Sequence, residues 1–497
     1  MSLRVEERDF KLLWTGSAVA QFGAVGALTG TPLLALSLDD SPISAGWVSA
    51  AGALPGLLFH LPAGWLADRA NRGMIMLCSQ LVRIAAALVL VFGLWLAGGP
   101  VWLLAFSVAV AGTSAVFYGV AENAAVRDLV YGPGAGVQGG DGAAERRRRF
   151  AMAGYEARQY IALVLGRPAG GFLFDVWRLL PFVLDAVTAG LSLFLMRRAF
   201  GWRMRWRRWF ARIFRWRSAG AAASAPPHSR ADRRPRARKT RRSLRLLAKD
   251  RFLWTVLLVC SIANFLFQTV VLLLIFSANQ RGISGSLTGV FLSASGVGGL
   301  AGAIAAGRTL RKRTPPEILL FCVYSWMILV FVVASVNHPL VGLLAWGGCS
   351  YMGAHVNVAL EVHKAAFVPG DLQGRITGVI GFLAGGAVPL GALCGGYLVA
   401  ELEPQATAWW VALVMFALAL GVTVVCFKWV VGKEAYPGAA STCAEPNLRT
   451  PATANDPAAK KPPVPEREAF TIEALAGHGF REAREAEENV AVDEAHR

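Results

Sequence analysis

Long apolar segments alternate with short polar connections along most of the chain. Each apolar window is about 20 residues long, enough to cross a hydrocarbon core of about 30 Å as a helix. Twelve such segments are predicted, at 11–37, 43–66, 74–97, 101–122, 152–174, 179–197, 252–278, 285–306, 317–336, 339–362, 375–400 and 406–431. The pattern therefore predicts an all-α membrane protein with twelve transmembrane helices.

Composition supports this interpretation. Of the 497 residues, 55% are hydrophobic and 16% are charged, and the mean hydropathy is +0.46. A soluble protein carries about 25% charged residues and needs a polar face on nearly every helix.

The polar start, MSLRVEERDFK, and the long apolar segment after it favour a first membrane span over a cleavable signal peptide. The seven cysteines are scattered without metal-ligand spacing, so neither a metal site nor a cofactor is predicted.

The net charge of +18 follows the predicted topology. Lysine and arginine crowd into every second connection, whereas the other connections contain only Arg178 and Arg281. This asymmetry predicts that both termini lie in the cytoplasm. The charge is thus explained without a nucleic-acid partner.

An internal repeat predicts the domain organisation. The motif RDFKLLWT at 8–15 returns as KDRFLWT at 249–255, with the Leu-Trp-Thr triplets 240 residues apart. Two six-helix halves related by duplication are typical of transporters, with the substrate path between them. We predict halves at 1–197 and 251–431.

The remaining segments are a connector at 198–250 and a tail at 432–497. The connector begins with GWRMRWRRWFARIFRWR at 201–217, whose tryptophans and arginines fall on different faces of a helix. This pattern predicts an interfacial helix on anionic lipid; nucleic-acid binding uses the same residue types and is the weaker alternative. The tail is rich in Pro, Ala and Glu, which predicts a mostly disordered cytoplasmic segment.

The decapeptide GWLADRANRG at 64–73 resembles the signature of the major facilitator superfamily, which lies between the second and third spans. Six positions match, and Asn71 and Gly73 depart from it; the matches are Gly64, Leu66, Ala67, Asp68, Arg69 and Arg72. The resemblance implies two pseudo-symmetric six-helix bundles and a cytoplasmic gate. In that gate Asp68 would face the start of span eleven at Gly374 and Arg375, and Arg127 after span four. The alternative is a solvated acid in a positive loop.

Two longer stretches resemble bacterial twelve-span exporters of macrolides and enterobactin: residues 8–23, and VPGDLQGRITGVIGFLAGGAVPLGALCGGYL at 368–398. The fifth span also carries GRPAGG, similar to the G-P-x-x-G-G of drug exporters. Gly166, Gly170 and Gly171 match, but Arg167 stands at the expected proline and Pro168 is displaced by one position. These resemblances imply export across a bacterial inner membrane, coupled to the proton gradient. Plain packing by small residues is the alternative for the glycines.

Polar groups inside spans are costly and are therefore candidates for a substrate or proton path. The candidates are Gln21, Arg83, Glu122, Glu156, Arg167, Asp185, Gln268, His355 and Glu361. Arg167 needs either a carboxylate or an anionic substrate. Asp185 either belongs to the path or is hydrated near the outer face, and His355 either exchanges protons or is hydrogen-bonded between helices. Span four lacks the family's R-x-x-x-G arginine, so no proton carrier is assigned.

We therefore expect a monomeric exporter of a small hydrophobic or amphipathic compound. An importer and a non-transporting receptor are the alternatives. An enzyme is disfavoured because the sequence contains no HExxH, GxSxG or P-loop motif.

Overall fold

The computed structural model describes the backbone of residues 2–67, 70–131, 142–199, 250–310, 312–336, 339–367 and 370–431. Asp68 and Arg69, the 201–217 segment and the tail lie outside these residues. The side chains of Arg127, Glu156 and Arg375 also lie outside the described set, although their helices are described.

Every element in the described ranges is helical. The helices are α1 (Ser2–Asp39), α2 (Pro42–Ala67), α3 (Arg72–Ala97), α4 (Val101–Tyr131), α5 (Gly142–Val176), α6 (Leu180–Ala199), α7 (Arg251–Gln280), α8 (Gly285–Thr309), α9 (Pro315–Ser335), α10 (Pro339–Phe367) and α11 (Gly370–Val431). Helix α11 is divided at Glu403, where φ is 63° and ψ is 160°, into arms at 370–402 and 404–431. The arms cover predicted spans eleven and twelve, so the predicted all-α membrane fold is confirmed.

Nine helices in the described residues are long and apolar enough to cross a membrane, with α11 counted once. The predicted fifth and tenth spans, in α5 and α10, form long helices but are not among the nine. Helix α5 extends further than its predicted span because it begins at Gly142 and includes the basic run ERRRR.

Short turns join successive helices at one end, which we call the turn end. It contains the connections at 40–41, 98–100, 177–179 and 281–284 and the break at Glu403. The opposite end, where α3 begins and α6 ends, is called the loop end. Gly98 ends α3 with φ of 55°, a conformation that glycine adopts without strain.

The helices pack as two groups. Within α1–α6, helix α1 packs on α5 and α6, and α4 packs on α2 and α3; within α7–α11, α7 packs on α11 and α8 on α10. The groups meet mainly where α5 packs on α8 and where α2 packs on α11.

Buried hydrophobic side chains show that the two ends differ. At the turn end, one core joins both groups and includes Leu34 and Val48 together with Leu272 and Ile275. At the loop end, Leu13 and the start of α3 form a core composed only of α1–α6 residues. The described halves therefore share a core at the turn end.

Candidate functional site

The contact between α2 and α11 is tight at the turn end. A Cβ atom on Gly46 would lie 2.8 Å from the carbonyl oxygen of Ala392 and 3.1 Å from the Cα atom of Gly396. Beside it, the indole nitrogen of Trp47 donates to the hydroxyl oxygen of Tyr397 at 3.3 Å. Any side chain larger than the hydrogen atom of glycine at position 46 would therefore force α2 and α11 apart.

Further along, the surroundings of the glycines on these two helices differ. A Cβ atom on Gly386 would still meet Leu57 at 2.8 Å. A Cβ atom on Gly64, Gly381 or Gly385 would have no described atom within 4 Å. Contact between described atoms of α2 and α11 therefore extends at least from Gly46 to Leu57.

The predicted glycine strip of α5 contacts two different helices. Gly166 and Gly170 pack against α1, where a Cβ on Gly166 would lie 2.8 Å from the carbonyl oxygen of Phe22. Gly171 packs against the start of α8 at Gly285, and Pro168 lies against Gly289. The strip therefore brings α5 close both to its own group and to the other group.

Arg167 bridges the two groups without a carboxylate among its described contacts. Its guanidinium donates to the carbonyl oxygen of Leu292 and the hydroxyl of Ser295, both on α8. Of the two predicted alternatives, a carboxylate partner and an anionic substrate, the first is not found among the described contacts of Arg167. Neutral dipoles solvate the cation instead, which leaves its full charge near the interface between the groups.

Asp175 forms a second bridge, at the turn end, that the sequence analysis did not single out. Its carboxylate accepts from the backbone N–H of Gly285 at 2.7 Å and of Ser286 at 2.8 Å, and from the Ser286 hydroxyl. Partial burial raises the pKa of Asp175, but these hydrogen bonds outweigh it and hold the pKa below its ordinary value. An acid from α5 thus caps the N-terminus of α8 in the other group.

Arg83 and Asp185 form a buried pair within α1–α6. The Nε of Arg83 donates to Asp185 at 3.0 Å, its Nη2 contacts the second carboxylate oxygen, and Nη2 also donates to the carbonyl of Ala20 at 2.8 Å. Both residues line a cavity of about 230 Å³. Asp185 is therefore ion-paired and buried, and the expectation that it is simply hydrated is wrong.

A second buried pair joins α4 to α5. Arg158 donates to the carboxylate of Glu122, and both side chains are buried. Nearby, Tyr118 and Ser17 are hydrogen-bonded at 3.0 Å. Two carboxylates named as path candidates, Glu122 and Asp185, thus each have an arginine partner from another helix.

The other candidates are dispersed. His355 is buried, with Nδ1 2.9 Å from the carbonyl of Tyr351 and Nε2 3.2 Å from the Thr309 hydroxyl. Glu361 is exposed and accepts from Lys364 at 2.5 Å.

Gln21 and Gln268 are half-buried in α1 and α7. Arg72, at the start of α3, donates to the carbonyl of Ala124 on α4 at 2.9 Å. These positions do not converge into one site.

The repeat motif contains a further missed pair. Asp250 precedes α7; one of its oxygens accepts from the N–H of Leu253 at 3.0 Å, and the other lies 2.9 Å from Nε2 of His363. Burial raises the pKa of Asp250, but hydrogen bonds from His363 and the backbone outweigh it and lower the pKa overall. An acid directly before an apolar helical run is an N-cap signal. The capping role of Asp250 could therefore have been predicted from the sequence, but its contact with His363 could not. Metal binding is a separate question. Within the described residues, no cluster of three or more His, Cys, Asp or Glu side chains could hold a metal ion.

Comparison with known proteins identifies the family. A family model described as Major Facilitator Superfamily matches residues 13–383. A search of curated protein sequences gives no match.

Solved structures share the fold at low sequence identity. The nucleoside transporter NupG is 13% identical with a TM-score of 0.57, covering 85% of this chain and 99% of that one. A bacterial homologue of the iron transporter ferroportin, in an inward-facing state, is 12% identical with a TM-score of 0.59, covering 84% and 99%. An auto-inhibited POT family peptide transporter is 10% identical with a TM-score of 0.58, covering 85% and 97%. Since the family model spans most of the chain, this protein belongs to the Major Facilitator Superfamily.

Proposed function

We propose that this transporter exports a small hydrophobic or amphipathic compound across a bacterial inner membrane by alternating access. In this proposal α1–α6 and α7–α11 are the moving halves, the termini are cytoplasmic, and the turn end faces outward. The observation that carries it is the core shared by the two groups at the turn end, together with the core at the loop end that contains only α1–α6 residues. A carrier arranged in this way is closed outside and ready to load from the cytoplasm.

Export is supported by the resemblance of residues 8–23 and 368–398 to bacterial exporters, and by the α5 glycine strip. That strip holds α5 against both α1 and α8. Movement of one helix group relative to the other must therefore change the contacts of these glycines. Proton coupling requires a carboxylate that changes partner during the cycle. Glu122 and Asp185 are the described candidates because each is buried and held by an arginine from another helix.

The experiment is transport in proteoliposomes with an imposed pH gradient, using erythromycin and an amphipathic fluorescent dye as cargo. Export coupled to proton influx predicts that the cargo crosses the membrane in the direction opposite to the protons. A protonophore should abolish this movement. Empty liposomes and the Asp185→Asn protein are the controls, the latter for coupling. Cargo movement with no dependence on the gradient contradicts proton coupling, and no movement of any amphipathic cargo contradicts export.

A further inference from the structure

The turn end of the α7–α11 group contains a tapering pocket. Its wide part has a volume of about 280 Å³ and is lined by residues of all five helices. A narrow part of about 20 Å³ continues inward. Five residues line both parts, so the two cavities adjoin each other: Leu273, Leu274, Val333, Gly342 and Ala408. We call the whole cavity the α7–α11 pocket; it is just large enough for a compact small molecule.

A buried donor lies at the narrow part. Trp346 lines it and is 8% exposed, and its indole N–H has no hydrogen-bond acceptor among the described residues. The neighbouring Trp326 shows the usual arrangement, donating to the carbonyl of Cys349 at 2.9 Å. Leaving a buried donor unpaired is destabilising, and an apolar side chain at this position would avoid that cost. The free indole N–H therefore suits an acceptor that enters with a ligand.

Water is a poor partner for this donor. The narrow part has room for about one water molecule, but an ordered water needs two to four polar partners. The side chains around it are apolar apart from the Trp346 indole and the Cys349 thiol. A carbonyl oxygen on an apolar molecule needs only one donor and leaves no other polar group buried.

The wide part has a polar rim. Gln280, Arg281, Glu403 and Gln405 line it, with the guanidinium and the carboxylate providing opposite charges. Glu403 also adopts φ 63° and ψ 160°, a strained region occupied almost only by glycine. Such strain is found where the backbone is fixed for binding. A rim of this kind suits a ligand without net charge that has hydrogen-bonding groups at its outer end.

We propose that the α7–α11 pocket binds a neutral apolar compound bearing a carbonyl group, whose oxygen accepts from the Trp346 indole N–H. The apolar body occupies the space between Leu273 and Ala408, and the outer end meets the polar rim. This site lies within one helix group, apart from the α2–α11 contact. It does not depend on the direction of transport or on its coupling.

Benzophenone is the probe, because its ketone oxygen is an acceptor and irradiation attaches it to neighbouring C–H groups. The full chain in lipid nanodiscs is titrated with benzophenone and irradiated, and the labelled peptides are mapped by mass spectrometry. The expected result is saturable labelling of the peptides that line the pocket. Trp346→Phe removes one hydrogen bond of about 1 kcal/mol, which raises the half-saturating concentration about fivefold. Trp409→Phe, on an exposed tryptophan outside the lining, is the matched control and leaves it unchanged.

A second variant tests the cavity itself. A Cβ atom on Gly342 would lie 3.6 Å from Leu274, an ordinary contact, so the side chain in Gly342→Leu extends into the pocket and abolishes its labelling. Labelling confined to lipid-facing peptides, or the same half-saturation in Trp346→Phe and the parent protein, overturns the proposal. Transport is measured separately, so failure here is distinguishable from failure of the export proposal.

Discussion

Replacing Asp175 by asparagine should loosen the closure of the turn end. The carboxylate holds two backbone N–H groups of α8 at 2.7 and 2.8 Å and also faces the positive end of that helix. Asparagine keeps one acceptor oxygen but loses the charge and the second acceptor. For this exposed site we expect a loss of about 1–1.5 kcal/mol, which corresponds to roughly a tenfold shift of the equilibrium from closed towards open.

The assay is electron–electron resonance distance measurement between nitroxides at Leu96 and Leu344, in a background without native cysteines. Both positions are exposed, at 74% and 71%, and they belong to different helix groups. Asp175→Asn should increase the ratio of long to short distances about tenfold. Asp39→Asn is the matched control, since Asp39 accepts from Ser44 within its own group at 2.5 Å. Equal distributions for Asp175→Asn and the parent, or an equal shift for Asp39→Asn, would refute the reasoning.

The lowered pKa of Asp175 adds a pH test of the same contact. A carboxyl whose pKa is depressed in the closed state stabilises that state above its ordinary pKa, and the effect is lost as the pH falls through the depressed value. Closure in the parent should therefore be constant near neutral pH and weaken only in strong acid. Asp175→Asn should lack this acid-dependent step.

Three further predictions concern the pairs and contacts already described. Arg83→Leu and Asp185→Leu should each destabilise the protein by about 3–5 kcal/mol, and the double variant by less than either; additive losses in a detergent unfolding assay would contradict the pairing. Asp68→Asn should reduce proteoliposome flux far more than substitutions at 302–313, where the repeat-related position carries no acid; equal losses would make Asp68 a bystander. Gly46→Val should cost about 1–3 kcal/mol by overpacking and raise the open fraction at the turn end in the nitroxide assay, and an unchanged distribution would argue against a tight contact there.

Helix positions were largely predictable because apolar length is a local property. The last pair of spans agrees as well, since two helices meet at Glu403, within the predicted connection. Sequence showed a connection there, ELEPQ, but not that a single residue in an unusual backbone conformation would suffice. Pro404 is a local signal for a helix break at this point, whereas the positive φ of Glu403 is not a conformation that glutamate favours.

Ion pairing was less predictable. Sequence identified Arg83 and Asp185 as costly groups inside spans, but the two lie 102 positions apart, and nothing local matches them. For Arg167 a carboxylate was one of two predicted partners. The guanidinium instead donates to a backbone carbonyl and a hydroxyl, which any helix with a serine can offer. Asp175 went unnoticed because its partners are backbone N–H groups, which leave no trace in residue type.

Transport is the most direct test of the central claim. Right-side-out and inside-out membrane vesicles carrying the protein are energised with the same pH gradient, and movement of erythromycin is followed in each. The account predicts gradient-dependent movement from the cytoplasmic to the outer face, reduced in Gly46→Val because the turn end closes less often. Movement in the opposite direction, or movement that ignores the gradient, would contradict a proton-coupled exporter.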